Sequence, residues 1–258
     1  MIMTNKPKIS VSVIMPALNE ERNIYFSIKN TLAAFEALNI EGEIIIINDA
    51  SSDNTEIIVN DLIKNDNRLR IFKHAAIQGI GASFWDGFAR SRCDIVIMLP
   101  ADNENDAREI LRYCRLFDDV DIVIPFIYNK NVRPHLRNLI SLIYKFIINR
   151  TFRTNFYYTN GTVLYRKAIL KNLIHKSESF FFQAEILIRL IKKGYLFAQV
   201  PCKLNKRTDR KSRAIAFGSL LAVIKDYLLL VWDIYYFNPP KNELAEDSVS
   251  YQHINWIQ

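Results

Sequence analysis

The feature that most limits what this chain can fold into is residues 44–47, four consecutive isoleucines. Consecutive β-branched residues favour a strand over a helix, and the lack of polar side chains indicates that both faces of the strand are buried. Strands of this kind are typical of parallel sheets that carry helices on each side. Residues 11–15 and 95–99 are further apolar runs that predict strands, and the first of them ends at Pro16.

Helical periodicity separates these predicted strands. Apolar residues recur at helical spacing between them, and the intervening segments have the length of ordinary helices. Helices are predicted over residues 23–38, 54–64, 79–92 and 106–117, and further strands over residues 69–73 and 122–124, the last of which ends at Pro125. This alternation predicts an α/β fold with a mostly parallel central sheet flanked by helices.

The second half of the chain has a different character. Helices are predicted over residues 136–148 and 180–193, the latter ending at Gly194, and strands over residues 162–165 and 196–200. Residues 214–237 are strongly apolar, but Lys225 and Asp226 interrupt them. We therefore expect this segment to pack on the domain or lie in a membrane interface and not to span a membrane.

Length and composition suit one large α/β domain, because half of the 258 residues are hydrophobic. Three widely separated cysteines with no CxxC pair indicate a reducing compartment, and the first residues lack an apolar signal core. We assign residues 1–213 to the domain, followed by apolar helices over 214–237 and a polar, mobile tail over 238–258.

Charge is distributed unevenly along the chain. The net charge is +7, yet residues 122–177 contain ten Lys or Arg and no Asp or Glu, and a second basic cluster lies within residues 203–213. Such blocks indicate an anionic partner, namely a phosphate, an anionic lipid surface or a nucleic acid. Nucleic acid is the weakest of the three, because no recognised binding module is present and carboxylates at the strand ends would repel its phosphates.

Acidic and amide side chains follow three of the predicted strands. In sheets of this class ligands bind beyond the carboxyl ends of the strands, so Asn19-Glu20, Asn48-Asp49 and residues 102–104 form the candidate site. Asp102 and Glu104 suit Mg²⁺ or Mn²⁺, which also accepts oxygen ligands from a diphosphate. The alternative for this loop is a solvated turn before a helix cap at Asp106.

Several segments, in their order and spacing, resemble one enzyme family. Residues 11–20 (VSVIMPALNE), 44–55 (IIIINDASSDNT) and 78–82 (QGIGA) resemble motifs of the family 2 glycosyltransferases of the GT-A fold. Residues 182–185 (FQAE) and 193–195 (KGY) extend the likeness to the polyprenyl-phosphate, dolichol-phosphate mannose synthase-like branch. The resemblance covers roughly residues 9–215 and implies a GT-A, Rossmann-like fold with a C-terminal apolar helical segment. It also divides the domain into a donor half at about 9–125 and an acceptor half at about 126–213.

The resemblance also implies roles for individual residues. The nucleotide-sugar pocket would contain Pro16, Leu18, Glu20, Asp49, Gly81, Ala101 and Asp102, with Asp49 bonding the base or ribose. Asp102 and Glu104 would hold the metal and, with Arg207, form the catalytic set. Arg207 and Arg213 would contact phosphates, where a fork of donors suits paired oxygens, and Arg137 would face the acceptor phosphate.

Two positions depart from the family pattern. Pro100 stands where the family usually has the first acid of an Asp-x-Asp metal motif, so one ligand is missing. Tyr157 stands where the family tends to have an acid shortly before the position of Gly161, which extends the acid-free block and indicates a different acceptor.

These observations predict an inverting transfer of sugar from a UDP- or GDP-linked donor to polyprenyl phosphate, by a peripheral protein on the cytoplasmic face of the membrane. Two alternatives stay open: a hydroxyl acceptor on a surface polysaccharide or lipid-linked glycan, and a degenerate, non-catalytic domain that binds a sugar nucleotide or another partner. A hydroxyl acceptor would require a general base, for which Glu185 or Asp86 is available, whereas a phosphate requires none. We interpret Glu185 as the ion-pair partner of Arg189, four residues later on a helix.

Overall fold

A computed structural model describes most of the chain. The described residues are 9–129, 135–159, 161–171, 173, 177–205, 217–237, 239 and 243–257. The side chains of residues 135–137, 217–219 and 255–257 are outside this description.

The described residues contain one seven-stranded sheet. Its strands are β1 (Ser10–Ala17), β2 (Glu41–Asn48), β3 (Leu69–Lys73), β4 (Ile95–Met98), β5 (Ile122–Ile127), β6 (Leu164–Arg166) and β7 (Phe197–Cys202). They lie in the order β3-β2-β1-β4-β6-β5-β7, and β6 alone among them runs antiparallel to its neighbours. The predicted mostly parallel sheet is confirmed.

Strand β2 is buried on both faces, as its sequence predicted. Ile44 and Ile46 belong to the hydrophobic cluster on one side of the sheet, and Ile45 and Ile47 belong to the cluster on the other side. All four side chains are fully buried. The alternation follows from the two-residue period of a strand, so that one run of isoleucines supplies both halves of the core.

Helices cover the two faces of the sheet. They are α1 (Ile24–Leu38), α2 (Thr55–Ile63), α3 (Ile80–Arg90), α4 (Ala107–Leu111), α5 (His135–Phe152), α6 (Lys167–Lys171), α7 (Phe182–Lys192), α8 (Phe217–Trp232) and α9 (Val249–Ile257). A 3₁₀ segment (Arg112–Asp118) continues α4, and a π-helical turn (Asp233–Phe237) continues α8. Helices α1, α2 and α4 pack on one face, and α3, α5, α6, α7 and α8 on the other.

Three strands run through prolines where the sequence predicted an end. Strand β1 includes Pro16, strand β5 includes Pro125 and strand β7 includes Pro201. The pairing of β1 with β4 stops at Ile14, two residues before Pro16. The pairing of β5 with β6 stops at Val123, so no strand on that side requires an N–H group from Pro125. Strand β7 lies at the edge of the sheet, where a proline is tolerated.

The C-terminal segment contains helix α9, where the sequence predicted a polar, mobile tail. Asp121, fully buried before β5, accepts hydrogen bonds from the backbone N–H groups of Val249 at 3.0 Å and Ser250 at 2.8 Å. Arg166 pairs with the same carboxylate at 2.7 Å. The sequence did not predict this helix because the residue that caps it lies more than a hundred residues away and leaves no local signal.

For residues 214–237 the sequence predicted an apolar segment that does not span a membrane. Within the described parts of the chain, none of the helices is both long and apolar enough to cross a membrane.

Candidate active site

Three loops at the carboxyl edge of the sheet share an unusual backbone conformation. Asn19 after β1, Ala50 after β2 and Asn103 after β4 have φ angles of 55°, 58° and 56°. This left-handed region is uncommon for residues other than glycine. Each loop therefore turns sharply at the point where ligands bind in sheets of this class.

Hydrogen bonds tie these loops to one another. The backbone N–H of Asn19 donates to Ser51 Oγ at 3.0 Å, and Asn19 Oδ1 accepts from the backbone N–H of Ser52 at 2.8 Å. The backbone N–H of Ala101 donates to the carbonyl of Pro16 at 3.1 Å. The loops after β1, β2 and β4 therefore form one connected rim, the donor rim.

Glu20 and Asp53 extend this network. The backbone N–H of Glu20 donates to Thr55 Oγ1 at 2.9 Å, and that of Glu21 donates to Asp53 Oδ2 at 3.1 Å. Partial burial by itself would raise the pKa of Asp53, but hydrogen bonds from Thr55 and Glu21 outweigh it and hold the pKa below its ordinary value. The Asp53 carboxylate therefore stays ionised and stabilises the donor rim through these hydrogen bonds.

Ala50→Gly is expected to stabilise the protein by roughly 1 kcal/mol, because glycine adopts the left-handed conformation without steric penalty. The matched control is Ala89→Gly, which makes the same change at an exposed helical position of α3 and should destabilise by about 1 kcal/mol. Thermal unfolding of both variants measures the difference. If both substitutions shift the unfolding temperature in the same direction, the left-handed conformation of Ala50 is not strained.

Asp49 organises the segment that leads into α3. Its carboxylate is buried and accepts hydrogen bonds from the backbone N–H groups of Gln78 at 2.8 Å and Gly79 at 2.9 Å. His74 Nδ1 lies 2.8 Å from the same carboxylate and donates to it. A contact between Asp49 and the base or ribose remains a prediction, and the structure shows that the side chain also shapes the neighbouring loop.

His74 is a site residue that the sequence analysis missed. It directly follows β3 at the same edge of the sheet, and its Nε2 lies 3.5 Å from Asp86 Oδ2. Asp86 in turn pairs with Arg90. The sequence offered one signal for His74, namely its position directly after a predicted strand. That signal was obscured because the four histidines are scattered along the sequence.

Glycines allow the first turn of α3 to pack closely. Gly79 has a φ of 95°, and a Cβ atom at Gly81 would lie 2.4 Å from the carbonyl oxygen of Glu178. A residue with a Cβ atom does not fit here, so the close packing against the backbone of Glu178 explains why position 81 is a glycine. Its predicted role in nucleotide binding remains a prediction.

Asp102 and Glu104 line one cleft next to the donor rim. The backbone N–H of Glu104 donates to Asp102 Oδ1 at 3.1 Å, which holds the two residues in a tight turn. The cleft has a volume of about 600 Å³ and runs from this turn to helices α5 and α8. Other residues that line it include Pro100, Tyr158, Phe180, Ile140, Ser141, Tyr144, Lys145, Leu220 and Val223.

The predicted site residues are only partly brought together. Pro16, Leu18 and Glu20 lie in and after β1 on the donor rim, and Ala101 is buried between that rim and the cleft. Ser27 Oγ donates to the carbonyl of Ala101 at 2.8 Å. Arg207 and Arg213 lie outside the described residues, as does the side chain of Arg137 at the start of α5.

The turn of Asp102 and Glu104 fits a hard divalent cation. Mg²⁺ is usually held by one or two carboxylates together with substrate phosphates and water, and this turn offers two carboxylates on one cleft. Among the described residues no group of three or more His, Cys, Asp or Glu side chains could hold a metal by itself. An ion held by these two carboxylates would take its remaining ligands from substrate oxygens and water.

Glu185 belongs to an ion-pair network between α7 and the π-helical turn. Arg189 pairs with Glu185 at 2.9 Å and also with Asp233 in the π-helical turn. The predicted pair four residues apart is confirmed. Glu185 Oε2 also accepts from the backbone N–H of Ser177 at 2.8 Å, so the carboxylate is occupied by structural contacts.

Comparison with known proteins identifies the family to which this fold belongs. The family profile of Glycosyl transferase family 2 matches residues 12–174, and the chain belongs to this family of glycosyltransferases. Relatives include undecaprenyl-phosphate 4-deoxy-4-formamido-L-arabinose transferases of Salmonella paratyphi A and Salmonella dublin, each 30% identical over 146 residues. That match covers 56% of this chain and 45% of each relative, so the matched segment spans about half the length of these relatives.

Solved structures share the fold at low sequence identity. Glucosyl-3-phosphoglycerate synthase of Mycobacterium tuberculosis, in complex with Mn²⁺, UDP and phosphoglyceric acid, has a TM-score of 0.61 and 17% identity, covering 87% of this chain and 78% of that one. Its complex with Mg²⁺ and UDP has a TM-score of 0.62 and 16% identity, covering 87% and 79%. The GT-A fold predicted from the sequence is confirmed.

Proposed function

We propose that this enzyme transfers a sugar, with inversion, from a UDP- or GDP-linked donor to polyprenyl phosphate. The observation that carries the proposal is the cleft, which joins the carboxylates of Asp102 and Glu104 to an apolar path between α5 and α8. With a divalent cation on these carboxylates, such a cleft suits an acceptor with an anionic head and a long hydrocarbon tail. The names of the Salmonella relatives, and the complexes of the structural neighbours with UDP and Mn²⁺ or Mg²⁺, support the same acceptor and donor classes.

In the proposed reaction an oxygen of the acceptor phosphate forms a bond to the anomeric carbon of the sugar. The bond to the nucleoside diphosphate breaks on the opposite face, and its electron pair leaves with the diphosphate. Asp102 and Glu104 would hold Mg²⁺ or Mn²⁺, which when bound neutralises charge on that leaving group. A phosphate oxygen is already a nucleophile, which agrees with the engagement of Glu185 by Arg189.

The outer surfaces of α5 and α8 are the proposed contact with the cytoplasmic face of the membrane. Large apolar side chains point to solvent on both helices, including Leu142, Ile143 and Phe146 on α5 and Leu228 and Trp232 on α8. Tyr144, Lys145 and Asp226 of the same helices are only partly exposed, whereas Arg150 and Lys225 are exposed. A surface of large apolar side chains accompanied by exposed basic ones favours a lipid interface.

Phe146→Glu and Leu228→Glu are each expected to lower binding to lipid vesicles by roughly tenfold or more, because each removes a large apolar group from the interface and adds a charge. Flotation with vesicles of phosphatidylethanolamine and phosphatidylglycerol measures the effect. Ile57→Glu on α2 is the matched control, since Ile57 is 67% exposed and Phe146 is 66% exposed. Equal flotation of all three variants and the wild type would exclude this surface.

Transfer to polyprenyl phosphate is tested with a panel of labelled nucleotide sugars, undecaprenyl phosphate and Mn²⁺. A labelled lipid that is released by mild acid supports the proposal. An alkali-stable product would instead indicate a hydroxyl acceptor on a glycan or lipid-linked glycan. If no product forms and calorimetry detects no binding of nucleoside diphosphate with Mn²⁺, the chain is a non-catalytic GT-A domain, which the replacement of a metal ligand by Pro100 would explain.

A further inference from the structure

Helix α5 presents a polar stripe to the cleft. Ser141, Tyr144 and Lys145 line the cleft and are partly buried, and one turn later Ile148 is fully buried in the core. Ser141 and Lys145 are four residues apart and therefore lie on the same face of the helix. The stripe carries an ammonium group into a cavity whose other lining is largely apolar.

The ammonium group of Lys145 offsets negative charge in the cleft, which favours an anionic acceptor. Asp102 and Glu104 place two carboxylates on the cleft, and without a bound cation both would repel an incoming phosphate. Among the lining residues that the structure describes, Lys145 is the one basic side chain. Its long stem can lie along the apolar wall while the ammonium group reaches the anion.

We propose that Lys145 recognises the phosphate group of the acceptor and thereby makes the cleft selective for a prenyl phosphate over a neutral prenyl alcohol. The inference rests on the proposed function and assigns the acceptor subsite to a residue that the sequence analysis did not single out. Lys145 binds the phosphate head, and the hydrocarbon tail leaves along Ile140, Leu220 and Val223 between α5 and α8. The tail then emerges at the apolar outer surface of the same two helices.

Equilibrium binding of farnesyl phosphate and of farnesol to the full chain tests the proposal without any donor. Lys145→Met is expected to weaken binding of farnesyl phosphate by roughly 10- to 100-fold, because it removes a charge-assisted contact in a partly buried site. Binding of farnesol should stay the same. Lys145→Arg keeps the positive charge and should recover most of the affinity for farnesyl phosphate.

The matched control is Arg150→Met, which removes one positive charge from an exposed position of the same helix and should leave both affinities unchanged. Binding of nucleoside diphosphate, measured in parallel, should be the same in all variants and reports that each is folded. The proposal is overturned if Lys145→Met binds farnesyl phosphate as tightly as the wild type. It is equally overturned if the wild type binds farnesyl phosphate no more tightly than farnesol.

The same variants separate this proposal from the proposed function. If Lys145 controls binding of farnesyl phosphate but the wild type transfers no sugar to any prenyl phosphate, the subsite stands and the transfer function fails. If the wild type transfers sugar and Lys145→Met has an unchanged KM for the acceptor, the function stands and the role of Lys145 is wrong.

Discussion

Asp102→Asn is expected to lower kcat/KM for sugar transfer on the order of 10³-fold while the fold stays intact. The substitution removes one of the two carboxylates on the cleft. The amide keeps an oxygen that can accept the 3.1 Å hydrogen bond from the backbone N–H of Glu104, so the turn is preserved. Steady-state rates with the labelled donor measure the loss, and calorimetry should show that Mn²⁺ no longer strengthens binding of nucleoside diphosphate.

Asp106→Asn is the control for this variant. Asp106 lies four residues further along and caps α4 by accepting from the backbone N–H of Glu109 at 3.1 Å, and asparagine caps helices equally well. The change in charge is the same, but no carboxylate is removed from the cleft. A loss of activity in Asp106→Asn that matches the loss in Asp102→Asn would refute a specific role for Asp102.

Asp49→Asn is expected to destabilise the protein by about 3 kcal/mol and to weaken binding of nucleoside diphosphate. Both carboxylate oxygens accept hydrogen bonds, one of them from His74 and Gln78 and the other from Gly79. An amide has a single acceptor oxygen, so its NH₂ group would face at least one N–H donor in a buried site. Thermal unfolding and calorimetric titration measure the two effects.

Asp61→Asn provides the comparison, because Asp61 makes an exposed ion pair with Lys64 on the surface of α2. Removing such a pair should leave unfolding and nucleotide binding unchanged. If Asp49→Asn behaves like Asp61→Asn, the carboxylate does not hold the segment before α3 in the way described.

The central sheet could be predicted from sequence because its signal is local. Residues 44–47 predicted a strand buried on both faces, and the side chains alternate between the two hydrophobic clusters. Helix α1 lies at residues 24–38, inside the predicted segment, because its apolar residues repeat with the helical period. Residues at strand ends were likewise sufficient to locate Asp49 and the turn of Asp102 and Glu104.

The features that could not be predicted depend on contacts between residues far apart in sequence, or on a helix that exposes its apolar side chains. Asp121 caps α9 from 128 residues away, and Asp49 bonds a loop 29 residues further on. Lys145 was missed for a different reason. A periodic pattern places the apolar face of a helix inward, whereas α5 exposes much of its apolar face and turns Lys145 toward the cleft.

The left-handed residues of the donor rim have a consequence for the thermodynamics of substrate binding. Hydrogen bonds within the folded chain tie the loops of Asn19, Ala50 and Asn103 to neighbouring segments, so these loops lose conformational entropy during folding. If the donor binds at this rim, as proposed, we expect little further loop ordering to oppose its binding. The acceptor, by contrast, brings a flexible hydrocarbon chain, and we expect the larger entropic penalty on that side of the reaction.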